Sequence, residues 1–238
     1  MVLTIVRTMM TSMIDAIDGT VIMTPELVEA ITSIFDFRVP RQWCYDATGV
    51  EISWLTPSLS GWINGLIDRH HQLYNWISKE RPPSFWLTGF FNPQGFLTAV
   101  KQEVTRQKKQ LAWSLDEVEY TTDTLKEVIQ GDDGRIEGKN INPPQEGVYI
   151  HGLFLEGAGW NKSNRHLEEQ AAKELYYQFP IMHVSAMSTT PSQGPGIGGK
   201  GKQDDRANEK NAYSCPVYKY PKRTDKYLIF RVFLKCDA

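Results

Sequence analysis

Cysteine is scarce in this 238-residue protein and poorly placed for chemistry. Cys44, Cys215 and Cys236 are odd in number, far apart, and form no Cys-x-x-Cys pair. That argues against a thiolate zinc site and for a reducing compartment, with the cytosol as the default. Long apolar runs are missing as well, since none reaches the roughly 18 residues that a membrane span needs. The opening segment MVLTIVRTMMTSMIDAIDG contains Arg7 and Asp15 and repeats its apolar residues at helical spacing, which is not the pattern of a signal peptide. The triplet Asn161-Lys162-Ser163 matches a glycosylation acceptor, but the compartment implied by the cysteines argues against a glycan there. Charge of one sign is also lacking. With 26 Lys and Arg against 28 Asp and Glu, the formal charge is -2, so any electrostatic partner must be met by a local patch.

What is present is ordinary globular material, 41% hydrophobic and 23% charged. A polypeptide of this length can bury roughly 70 to 75% of its unfolded surface, enough for one large domain or two small ones without a staple. The strongest local feature is PPSFWLTGFFNPQGFLTAVK, residues 82–101. Phe85, Trp86, Leu87, Phe90 and Phe91 crowd seven positions, and such rings each bury about 150 to 250 Å². Asn92 suits a helix cap and Pro93 its first turn. An aromatic plug therefore leads into a helix, and Trp86, Phe90, Phe91 and Phe96 are the candidates for joining two halves.

Helical periodicity governs residues 1–110. Val6, Met9, Met10, Met13, Ile14 and Ile17 predict one buried stripe on a helix that Gly19 ends in a left-handed conformation. The methionines suit either core filling or an adaptable docking surface, and the single stripe favours the core. Thr24-Pro25-Glu26 starts a second helix with Leu27, Ile31, Ile34 and Phe35 on its buried face. Residues 38–56 read as an ordered loop pinned by Trp43, Tyr45 and Trp54. Thr56-Pro57 opens the longest helix, whose stripe includes Trp62, Leu66 and His70. Tyr74 follows His70 by four residues and Asn75 follows His71 by four, so no metal-ligating pair forms, and a packed or surface histidine pair is expected. The helix from Pro93 runs to about Lys109 with a wet, polar late portion. Arg106, Lys108 and Lys109 suit a solvated helix end better than a phosphate site.

After Gln110 the period changes to alternation, with Leu115, Val118 and Tyr120 as its apolar members. Residues 131–146 are turn chemistry, and Asp132-Asp133-Gly134 lacks the alternating oxygen ligands of a calcium loop. GVYIHGLFL, residues 147–155, is apolar on both faces and predicts one central strand in which His151 finds a buried hydrogen-bond partner. Residues 228–236 alternate cleanly and pair with 215–220 across the turn 221–225 as a terminal hairpin. The expected class is α+β: an N-terminal helical bundle over residues 1–110, then a small antiparallel, barrel-like half over residues 111–238, interrupted by a flexible Gly-rich insertion at about 190–211.

Two motifs suggest ligands. GPGIGGKG at 194–201 has the Gly-x4-Gly-Lys spacing of a phosphate loop, but Gly201 replaces the magnesium-binding hydroxyl and no apolar helical face follows. The hairpin tip interleaves Lys219, Lys222, Arg223 and Lys226 with Tyr220 and Tyr227, a mixture able to contact an acidic protein surface or stack on single-stranded nucleic acid. Without a wider basic face, nucleic acid is not the expected partner. No Gly-x-Ser-x-Gly elbow occurs and no cysteine sits in an activating setting, so no catalytic residue, metal ligand or cofactor-binding residue is nominated.

Taken in order, VIMTPELVEAITSIFDFRVPRQW, SGWINGLIDR, FWLTGFFNPQGFLTAVKQEVTR, GVYIHGLFLEGAGW and CPVYKYPKRTDKYLIFRVFLK resemble the C-terminal domain of dynein heavy chains over essentially the whole sequence. LEGAGW and CPVYKYPKRTD are more similar to ciliary, outer-arm dyneins than to the cytoplasmic motor. The resemblance implies a region that follows the last AAA+ module and lies against one face of the motor ring. It implies bracing and regulation of microtubule-based motility without an ATP site, cofactor or microtubule-binding site of its own, at the axoneme of a cilium. The implied partner is the AAA+ ring of the same heavy chain, with microtubules met only through other parts and no membrane contact. The alternative is an independent barrel-type binding module that works through residues 219–227.

Overall fold

The computed structural model describes residues 2–54, 56–108, 113–124, 142–161, 166–188 and 212–235. The Gly-Lys motif at 194–201, the acidic turn at 132–134, Lys109 and Cys236 lie outside the described residues. Two compact units divide the protein, Met1–Tyr74 and Asn75–Ala238.

In the first unit, α1 (Val2–Ile17) ends as expected at Gly19, where φ is +77°. The next helix, α2 (Pro25–Phe35), starts with proline in its first turn and the Thr24 hydroxyl accepting from the Leu27 amide at 3.4 Å. Met13, Ala16, Leu27 and Ala30 are buried between them, with Met9, Ile31 and Ile34 partly buried alongside. Met10, Ile14, Ile17 and Phe35, expected on buried faces, are instead exposed. The reason is the pair of alanines. Small residues let the helices approach, so the inward stripe of α1 runs Met9, Met13, Ala16 and turns the bulkier residues outward.

A short helix α3 (Arg41–Cys44) and a bridge between Tyr45 and Glu51 order the next loop. The rings pin it, as the sequence suggests. Trp54 stacks on Trp62 at 4.8 Å, Trp43 lies 5.1 Å from Trp62, and the Arg69 guanidinium sits 3.9 Å above Trp54. Trp62 belongs to α4 (Leu59–Ser78) and donates from Nε1 to the Ser53 hydroxyl at 3.1 Å. His70 and His71 are both exposed, and His70 stacks on Tyr74 at 5.8 Å.

The second unit contains β1 (Phe85–Trp86), α5 (Pro93–Gln107), β2 (Val118–Thr124), β3 (Val148–His151), β4 (Phe154–Glu156), β5 (Gly159–Asn161), β6 (His166–Glu168), β7 (Tyr176–Gln178), β8 (Met182–Ser188), β9 (Ala212–Tyr218) and β10 (Leu228–Lys235). One four-stranded sheet has the order β1-β3-β8-β2, a second has β10-β9-β4-β7, and β5 pairs with β6. Among the described residues all pairings are antiparallel except β1 with β3. Helices that lie mostly ahead of small, largely antiparallel sheets make the α+β class read from the sequence.

The segment 147–155, expected as one strand, is two. At Gly152, where φ is +82°, the backbone leaves the first sheet and enters the second. Val148 and Ile150 point into the core before the crossing, and Leu153 and Leu155 do so after it. The change of phase across the glycine explains why both faces of the segment read as apolar. The late part of α5 also differs from expectation, because Val104 is fully buried against Val118 and Ala186. Hence α5, grouped with the helices by its period, packs with the strands, and the compact units divide at residue 74, whereas the sequence pattern changes at 110.

Candidate functional site

The plug forms the centre of the second unit. Phe85 is only 2% exposed and meets Trp76 edge-on at 4.9 Å and Phe96 at 4.9 Å. Phe90 stacks on Phe96 at 4.4 Å, and Trp76 also meets Phe90 edge-on at 6.2 Å. Beneath the rings, Leu87, Leu97 and Val100 share one core with Ile150, Leu155 and Val217. This is a joint between residues from the helical stretch and both sheets, stabilised by area and ring geometry together.

Among the four nominated rings, Phe90 and Phe96 are in this cluster, Trp86 is half-buried, and Phe91 is 59% exposed. Phe91 therefore presents much of its ring to solvent, whereas Phe90 and Phe96 stack within the plug. The turn at Leu87–Gly89 is a single 3-10 turn, and it rotates the backbone so that Phe90 faces inward while the next ring faces out. Trp86 lies between two glycines: a Cβ at Gly89 would come within 2.5 Å of its ring, and one at Gly152 within 2.4 Å. Sequence reasoning missed Trp76, which sat unremarked beside the apolar stripe of α4, and named Phe85 in the aromatic run without nominating it for the joint.

Next to the plug, the His151 Nδ1 and Ser84 Oγ share a hydrogen bond of 2.7 Å, which supplies the partner expected for His151. His183 Nε2 lies 2.8 Å from the Glu146 carbonyl oxygen. Lys108 pairs with the Glu146 carboxylate, and Arg81 donates to the Gly147 carbonyl. One cation of the expected solvated helix end thus ties down the start of β3.

The basic hairpin has an unexpected underside. Arg223 Nε reaches Glu156 Oε1 at 3.1 Å, with the carboxylate buried and the arginine exposed. The neighbouring carboxylate raises the Arg223 pKa above its usual value. Burial pushes the Tyr218 phenol up, and the hydrogen bond and charge of Glu156 push it further in the same direction. Lys219 Nζ donates to the Phe90 carbonyl at 3.3 Å, and Lys226 Nζ lies 5.8 Å from the Tyr227 ring centre. Of the four cations nominated as a partner contact, Arg223 and Lys219 thus reach inward, whereas Lys222 is exposed on the turn. Sequence reasoning also missed Glu156, although an acid within the apolar run LFLEGAGW is a visible sign of a buried carboxylate needing a cation.

Among the described residues, no three His, Cys, Asp or Glu side chains converge as metal ligands, and no helix is long and apolar enough to cross a membrane. A helix pair, a tryptophan stack and two four-stranded sheets beside a phenylalanine cluster define a domain of the α+β class. The family model for the C-terminal domain of the dynein heavy chain matches residues 1–238, and the protein belongs to that family. It is 37% identical to dynein axonemal heavy chain 8 of Mus musculus and 39% identical to dynein axonemal heavy chain 5 of Mus musculus, each over 98% of this sequence. It is 35% identical over 76% of its length to the dynein gamma chain, flagellar outer arm, of Chlamydomonas reinhardtii. In each case the match spans 4% of the relative's length.

Proposed function

We propose that this protein is a noncatalytic regulatory and structural domain that packs on the AAA+ ring of its own heavy chain and modulates microtubule-based motility in a ciliary axoneme. ATP hydrolysis and microtubule binding belong to other parts of that parent motor, and this domain holds no cofactor of its own. The observation that carries the reading is the outward face of α1. Leu3, Met10, Ile14 and Ile17 recur along it at helical spacing, and Val21, Ile22 and Met23 extend the exposed apolar surface through the following turn. Monomeric proteins rarely leave so continuous an apolar surface in water, and a docking face is its usual explanation. Burying what remains exposed of Ile14 and Ile17 would contribute about 2 to 4 kcal/mol. The axonemal and flagellar names of the relatives support the ciliary setting.

The test uses the full heavy chain. Replacing Ile14 and Ile17 together with serine should change microtubule gliding velocity or run length while basal ATP turnover stays intact, and deletion of residues 1–238 should do the same more strongly. Unchanged motility in both would end this reading. The alternative of an independent binding module using the basic hairpin has less support, since Arg223 and Lys219 are engaged within the protein.

A further inference from the structure

The end of α2 combines two features that protein surfaces normally avoid. Phe35 is 81% exposed and Phe37 is 78% exposed. Phe37 also has φ +57°, a left-handed conformation that is uncommon for a residue with a bulky side chain. It occupies the position just past the helix where glycine is favoured, and its neighbours form the ring of bonds that such an ending requires. The Phe37 amide donates to the Ile34 carbonyl at 3.0 Å, and the Arg38 amide to the Ser33 carbonyl at 2.8 Å. From the start of α4, the Leu59 amide donates to the Phe37 carbonyl at 2.9 Å. Asp36 and Arg38, which flank the ring, pair with each other at 2.6 Å.

Nothing among the described residues calls for phenylalanine at position 37. Glycine would relieve the backbone and remove an apolar ring from water, so the described residues give the ring no role in the fold. Strain held in place by surrounding bonds points to use at a contact, and rigid aromatic anchors with a self-neutralised polar rim are the form that interface hot spots take. We infer that Phe35 and Phe37 form a preorganised two-ring anchor that fills an apolar pocket on the same heavy chain, outside these 238 residues. The same polypeptide is the occupant because this domain spans 4% of the relatives' length. A covalently linked surface is present at high effective concentration, and two rings then suffice where a separate partner would need a larger interface. The inference rests on the packing reading above but names a different contact from the α1 face.

The experiment has two arms. A photo-crosslinking phenylalanine analogue is placed at position 37 of the full heavy chain, and separately at position 14 on the α1 face, with adducts mapped by mass spectrometry. Adducts from position 37 to the same heavy chain outside residues 1–238 are expected. Adducts from position 14 without any from position 37 overturn the anchor and leave the packing reading standing; none from either position overturns both, and adducts from position 37 to a different polypeptide overturn the choice of occupant. In the second arm, Phe37→Gly in the 238-residue protein should leave the melting temperature unchanged or higher. A drop of several degrees would show that the ring works inside the fold, and would overturn the inference.

Discussion

Tyr218 shows how one residue can report on its surroundings through pH. It is buried beneath the hairpin turn beside the Glu156 carboxylate, and both burial and that negative charge oppose its ionisation. An acid whose pKa is raised on folding keeps its contribution to stability below the unfolded value, about 10 for tyrosine, and loses it as pH rises through the folded value. Unfolding free energy should therefore fall above about pH 10, and Tyr218→Phe should flatten that alkaline slope. An identical slope in the variant would mean that Tyr218 ionises freely. Phenylalanine supplies the second test at this scale. Phe85→Ala removes a ring that is almost fully enclosed and should cost about 3 to 5 kcal/mol in denaturant unfolding. Phe91→Ala, in the same aromatic run, should stay within about 0.5 kcal/mol. A large loss at Phe91 would show that its exposed ring nevertheless supports the fold. The aromatic cluster was readable from composition and spacing, but which rings point inward was not, because a single 3-10 turn sets the phase of Phe90 and Phe91.

The same limit applies to whole elements. Caps are local, and so α1, α2 and α5 begin or end where Gly19, Thr24-Pro25 and Asn92-Pro93 place them; the Asn92 side chain accepts from the Gly95 amide at 2.9 Å. The face that a helix buries depends on what meets it. For α1 this is the alanine-mediated contact with α2, which left half of an apolar helix outside. The strand read at 147–155 contains one residue that decides its fate. Gly152 has a left-handed backbone and lies against Trp86, so Gly152→Ala brings both conformational strain and a clash with the indole. It should destabilise by about 1 to 3 kcal/mol and alter the tryptophan emission. Pairing Gly152→Ala with Trp86→Ala should relieve the steric part only; full additivity of the two losses would contradict a direct contact.

At the scale of the molecule, the order of motifs identified the family, and the family model covers all 238 residues. Several determinants of that order are short-range: capping residues, turn glycines, and periods of about 3.6 or 2 that distinguish helix from strand. They were sufficient for the α+β class and for the terminal hairpin. Tertiary contact alone decided that α5 belongs with the sheets, that Glu156 is buried under Arg223, and that Phe35 and one stripe of α1 face solvent. The physical reason is range. Backbone preferences act over a few neighbouring residues, whereas burial is settled by whichever distant surface arrives, and an apolar residue bears no mark of whether that surface lies in its own fold or outside it.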